Sequence, residues 1–212
     1  MSDIIREIDE DLRRDKFEKL WRKYGPYVLG GAVLFLVVLT AGLLWKDHLE
    51  DRQAERARQY ESALQLIAAG DAAAADQLQP LADGSDGYAA LARLQAAALK
   101  AKAGDVAGAV GIYEQLAADG SVDEHLRQLA VILLALHTAD TAEPDALTER
   151  LEPLTAAGNP WRYTALEITA VLARRAGDTA RAEQILTGLA DDLDAPQGLR
   201  QRATEMLAAL KG

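Results

Sequence analysis

Three histidines, His48, His125 and His137, are the only imidazoles in the chain, and it contains no cysteine. Imidazole is the side chain best matched to acid–base work near neutral pH and to holding zinc. His48 stands next to a long apolar run, and His125 and His137 lie about three turns apart on one expected helix, too far to share a metal directly. Without cysteine, disulfides and thiolate metal sites are excluded. No HExxH, P-loop, GxGxxG or GxSxG pattern occurs. The nearest approach to a phosphate-cradling loop, Asp83-Gly84-Ser85-Asp86-Gly87, lacks the first glycine and reads as a connection between repeats. The carboxylate pair Asp191-Asp192 falls at a helix C-terminus and reads as solvated. No residue is therefore expected to be catalytic, to bind a cofactor or to ligate a metal. The sequence reads as that of a protein that is not an enzyme, with no small-molecule substrate.

What remains is surface. Tyr88, Arg93, Arg127, Trp161 and Tyr163 are the candidate partner-binding residues, because they fall on the expected first helices of hairpins and are aromatic or arginine, the types that anchor interfaces. Tyr88 and Trp161 have a second reading as core or staple residues near helix starts. A clamp for a C-terminal carboxylate is not expected. Such clamps use asparagine and lysine on successive first helices, and the only asparagine here, Asn159, is in a loop.

The elements that must position these residues are helical. Half of the residues are apolar but only 5% are aromatic, and alanine and leucine, the best helix formers, dominate. Gly70-Asp71, Gly104-Asp105 and Gly177-Asp178 each end one alanine-rich stretch and open another, with Ala139-Asp140 as a weaker copy. Glycine suits the left-handed residue that closes a helix, and aspartate caps the next one. The aspartates are 34, 35 and 38 residues apart, a period typical of stacked helix–turn–helix repeats. Alanine stands five residues after each clear glycine (Ala75, Ala109, Ala182) and seven before it (Ala63, Ala97, Ala170), where two helices cross closely. Large side chains are expected nine and twelve residues after the glycine, although the first copy offers Gln79 and Ala82 there. Helices are predicted at about 46–69, 72–82, 87–103, 106–118, 122–138, 145–156, 161–176 and 179–192, with a capping helix at 196–210. Pro160 and Pro196 suit helix first turns, and Arg200, Arg202 and Glu205 are expected to face solvent on the cap. Pro144 and Pro153 mark the third copy as irregular. The fold class is all-α, a tetratricopeptide-like solenoid of about four hairpins.

Tyr27 to Trp45 contains no charged residue, and its nineteen residues span ~29 Å as a helix, about the thickness of a bilayer core. Tyr24, Tyr27 and Trp45 flank it as an aromatic belt. No small-residue cleavage site follows, so an uncleaved single transmembrane helix is expected, which brings membrane lipid among the partners. The expected organisation is a cytoplasmic amphipathic and basic tail at 1–23, with Ile5, Ile8 and Leu12 at helical spacing, a transmembrane helix at 24–46 and a periplasmic tetratricopeptide-like repeat domain at 47–212. Six Lys/Arg lie in residues 9–23 against four in 46–60, which places the N-terminus in the cytoplasm. The net charge of -10 arises entirely from residues 46–212 and argues against nucleic acid as a partner.

The tail SDIIREIDEDLRRDKFEKLWRKYG, the single apolar segment, the alanine-rich array and the C-terminal run beginning NPWRYTALEITAVLARR together resemble the ancillary SecYEG translocon subunit family, the YfgM-like membrane proteins with a tetratricopeptide-like domain. The resemblance covers essentially the whole chain. It implies a bacterial inner-membrane protein with a periplasmic repeat domain, acting as an adaptor between translocon subunits and a periplasmic chaperone or an extended polypeptide. It carries over no catalytic or contact residues. The alternative is a structural scaffold for envelope assembly or cell division, without a role in export.

Overall fold

The computed structural model describes residues 51–211 except 85, together with 24, 30, 34–36, 38–40, 42, 44–46 and 48. Two compact units divide the chain, Met1–Glu55 and Arg56–Gly212. The expected amphipathic tail at 1–23 lies outside the described residues, as do nine of the nineteen residues of the apolar run. Every described residue of the first unit is helical, and Leu34, Phe35, Leu36, Val38, Leu39, Leu44 and Trp45 are all exposed. Among the described residues no helix is long and apolar enough to cross a membrane.

The second unit is all-helical among its described residues. Residues 56–69 form α1. Then follow α2 (Ala73–Ala82), α3 (Gly87–Lys102), α4 (Val106–Ala118), α5 (Glu124–Thr138), α6 (Pro144–Leu151), a 3-10 turn (Glu152–Thr155), α7 (Arg162–Arg175), α8 (Thr179–Asp191) and α9 (Gln197–Lys211). From α2 onward each helix packs on its successor, and α7 also touches α5 and α9. This is the connectivity of a stack of helical hairpins.

The hairpin turns form as their residues dictate. Gly70, Gly104 and Gly177 have φ of 70°, 89° and 84°, a region that costs L-residues about 1–2 kcal/mol. Each turn closes with the following aspartate N–H on a carbonyl five residues back: Asp71 on Leu66, Asp105 on Lys100 and Asp178 on Ala173, all at 2.9 Å. The aspartate side chains then cap the next helix, Asp105 accepting from the Gly108 N–H at 2.9 Å and Asp178 from that of Arg181 at 3.0 Å.

Three details depart from the sequence expectation. In the first hairpin the buried register is one residue earlier. Ala74, Leu78 and Leu81 face inward, whereas Ala75 and Gln79 are exposed and Ala82 is only half-buried. Asp71 caps the Ala73 N–H, two residues on, so α2 starts one residue later than its counterparts and presents Leu78 in place of the polar Gln79. The helix expected at 145–156 stops at Leu151, because Pro153 lacks an N–H and disfavours helical geometry in the residue before it; a 3-10 turn completes the span. Ala139-Asp140 is no left-handed turn. The α5–α6 connection is instead held by Arg175 of α7, whose guanidinium donates to the Ala139 and Ala142 carbonyls.

Pro196 directly precedes α9 and Pro160 lies just before the Trp161 N-cap of α7. On α9, Leu199 and Ala203 are buried against Ala170, Leu186 and Leu189, with Met206, Leu207 and Leu210 beside them. Arg200 is half-buried there and does not face solvent as expected. Arg202 is exposed as expected and also reaches α7, making a two-pronged pair with Glu167 at 2.6 and 2.7 Å.

Candidate functional site

The crossing alanines are what allow the first helices of consecutive hairpins to share a groove. Ala63, Ala97, Ala109, Ala170 and Ala182 are fully buried, so the helices of each hairpin approach closely. Outside that packing, α3 and α5 each keep a second apolar stripe. On α3 it runs Leu91, Gln95, Ala98, Lys102, its apolar members broken by Gln95 and ended by Lys102, and on α5 Leu129, Leu133, His137, the i to i+3 and i+4 spacing of one helix face. Between these stripes lies a groove of about 680 Å³. Tyr60 of α1 and Tyr113 of α4 complete its lining with Leu94 and Ala101.

Its floor is rigid. Tyr113 is fully buried, and burial pushes its phenol pKa up, so it is neutral throughout the ordinary pH range. His137 lies flat against it, ring centroids 5.8 Å apart and planes 11° apart. Leu91, Leu129 and Leu133 rest on the largest core cluster while remaining partly open to solvent. Among the described residues, the lining of the groove has no carboxylate and no paired acid and base. Among the described residues no cluster of three or more His, Asp or Glu is placed to hold a metal ion.

None of the five residues singled out from the sequence lines this groove. Tyr88 is half-buried and tilts against the groove residue Tyr60, centroids 5.9 Å apart. The Arg93 guanidinium is committed internally. It donates to the carbonyls of Ala82 at 2.9 Å and Gly84 at 3.0 Å, and to Asp119 at 3.2 Å. Arg127 donates to the Val122 carbonyl at 2.7 Å, bracing the start of its own helix. Trp161 is the N-cap residue of α7, packed against the main core with its indole N–H buried and without a hydrogen-bond partner among the described residues. Tyr163 packs against the α7–α9 cluster, with Arg162 over its ring at 5.1 Å.

The α5 sequence did hold a signal for the groove. Leu129 to Leu136 is an unbroken apolar run, and eight apolar residues in succession cover more than the one face a surface helix buries. Ala130, Ile132, Leu134 and Ala135 take the core, and Leu129 and Leu133 are left for the groove.

A tetratricopeptide repeat-like domain is matched over residues 18–184. The chain belongs to the tetratricopeptide repeat-like domain family. No curated protein and no solved structure matches it. The repeats of this family are protein-interaction modules and typically not catalytic, and the α3–α5 groove lies where stacked hairpins offer such a surface.

Proposed function

We propose that this tetratricopeptide repeat-like protein is a membrane-anchored adaptor whose groove holds protein partners at the periplasmic exit of the Sec translocon, linking the translocon to periplasmic chaperones. The observation that carries the binding role is the α3–α5 groove, where leucines stay partly exposed over a floor made by the buried Tyr113. Exposed apolar side chains gathered in a concave, preformed site favour association, since covering them removes them from water.

The anchor reading rests on the charge-free run from Tyr27 to Trp45 and on the exposure of every large apolar side chain described within it. Tethering would confine the repeats to the membrane surface and raise their effective concentration for a membrane partner. The Lys/Arg bias supports an inner-membrane protein with the N-terminus in the cytoplasm and the repeats in the periplasm. The tail and C-terminal run, which resemble the ancillary translocon subunits, support the translocon as the place of action. Tyr88, against the groove residue Tyr60, is a proposed contact beside the groove, and Tyr163, packed in the α7–α9 cluster, is a proposed contact outside it. Arg93, Arg127 and Trp161 are the remaining candidates, and their internal engagement means that their substitution also reads on folding.

The test is crosslinking in native membranes with a tag at the C-terminus, followed by identification of the captured proteins. Enrichment of translocon subunits together with a periplasmic chaperone is the expected result. Enrichment of division or cell-wall proteins without the translocon would replace this reading with that of an envelope scaffold. Capture of cytosolic proteins alone would invert the topology.

A further inference from the structure

The lining of the groove is unlike the rest of the surface in charge. The chain carries 33 acidic and 23 basic residues, yet the described residues that line the groove include no carboxylate. Its two basic side chains, Lys102 and His137, come from opposite walls and stand in the last turns of α3 and α5. Because α3 and α5 are both first helices of hairpins, these ends lie at the same end of the groove.

Basic residues near helix C-termini also answer the helix dipole, and Lys100 does so while held at 2.9 Å by Asp105. Lys102, two residues on, is exposed, lines the groove as well as the neighbouring α2–α3 cavity that Asp71 also lines, and has no ion pair among the described residues. From Leu91 to Lys102 the wall rises ~16 Å, at about 1.5 Å per residue. That accommodates three turns of a helix or about five extended residues.

We propose that the groove selects an apolar polypeptide segment that carries an acidic side chain at one end, with the leucines on both walls covering the apolar residues and Lys102 and His137 receiving the carboxylate. This rests on the adaptor reading and names the chemistry of its partner. The carboxylate is taken from a side chain, not from a chain end. The asparagine that a terminal clamp would use is absent from the groove, and Asn159, the only one in the chain, is engaged with Gln128 and with the Trp161 N–H.

The full chain in detergent micelles, titrated against fluorescently labelled peptides, tests this. The probe is a helical peptide with leucines on successive turns, one terminal-turn glutamate and an amidated C-terminus. A second peptide replaces the glutamate by glutamine, and a third keeps that glutamine but leaves the C-terminus free. Ala98→Trp, at an exposed position in the groove, is the blocking variant, and Lys102→Gln with His137→Gln removes the two basic side chains. The expected result is about three- to tenfold tighter binding of the glutamate peptide than of its glutamine analogue. That preference should fade with salt, vanish in the Lys102→Gln, His137→Gln protein, and fall along with all other binding in Ala98→Trp. Equal binding of the glutamate and glutamine peptides, still blocked by Ala98→Trp, would overturn the acidic preference and leave the adaptor groove standing. Tightest binding of the free-carboxylate peptide would overturn the side-chain assignment. Binding indifferent to Ala98→Trp would overturn the groove itself.

Discussion

Two aspartates repeat one device at the exits of two hairpins. Asp119, after α4, takes hydrogen bonds from the Ser121 hydroxyl and N–H and pairs with Arg93 of α3. Asp192, after α8, takes one from the Asp194 N–H and pairs with Arg162 of α7. The donors at Ser121 and Asp194, followed by the arginines, hold both carboxyls below their ordinary pKa of 3.8. A carboxyl with a depressed folded-state pKa stabilises the fold above its unfolded value, and that contribution is lost as pH falls through the folded one. The expected outcome is a melting temperature insensitive to these groups from neutrality down to about pH 4, then falling below it. The fall should shrink in the Asp119→Asn, Asp192→Asn double variant when thermal unfolding is followed by circular dichroism across pH. Arg93→Ala removes three bonds at once and leaves two loop carbonyls without their donor. It should cost about 1–3 kcal/mol in chemical denaturation, while Arg93→Lys, which cannot fork, should recover only a small part. This role was not legible in the sequence. An arginine on a helix looks the same whether it faces a partner or its own chain, and only the loop carbonyls of Ala82 and Gly84 decide between them.

At the scale of the helices, the turns were legible because they rest on local chemistry. A glycine that must be left-handed and an aspartate that must cap are visible as a dipeptide, and Gly104-Asp105 and Gly177-Asp178 behave accordingly. Gly104→Ala and Gly177→Ala should each destabilise by about 1 kcal/mol or somewhat more, since a side chain there is strained even with open space around it. Gly111 and Gly188 lie inside α4 and α8, with nothing close to an added methyl, so Gly111→Ala and Gly188→Ala should stabilise by about 0.5–1 kcal/mol. Equal effects in the two sets would contradict the turn assignment. The register of α2 was less legible. Counting from Gly70 picks Ala75, and only packing, which prefers Leu78 to Gln79 inside, shifts the face by one residue. Ala74→Gln should therefore cost several kcal/mol by forcing an amide into the core, and Ala75→Gln should be nearly neutral, as urea midpoints would report. The third hairpin was least legible, because Arg175, more than thirty residues away, holds the connection that a glycine turn makes elsewhere.

Across the repeat unit, burial is shared between neighbours and not gathered in one centre. Ala63, Leu78, Leu81 and Ala92 form one cluster, the α3–α7 residues around Leu94, Tyr113 and Leu151 a second, and Ala170, Leu186, Leu189, Leu199 and Ala203 a third. The clusters meet on shared helices. Ala92 and Leu94 belong to different ones on α3, and Ala170 and Leu172 do so on α7. A stack of this kind is stabilised by each helix pair and its neighbours, so damage at one end need not reach the other. Ala203→Glu provides the probe. Ala203 is fully buried where α9 lies on α8, and a carboxylate there lacks both room and a partner. Hydrogen exchange should show lost protection in α8 and α9, with Gly177 as the nearest hinge, while the amides of α3, α4 and α5 keep theirs. The groove between Leu91 and Leu133 should then bind its peptide with unchanged affinity, because its walls and its Tyr113 floor belong to the second cluster. If protection falls uniformly from α2 to α9, the unit is one cooperative body, and the groove's rigidity depends on the distant cap and not on the helices that line it.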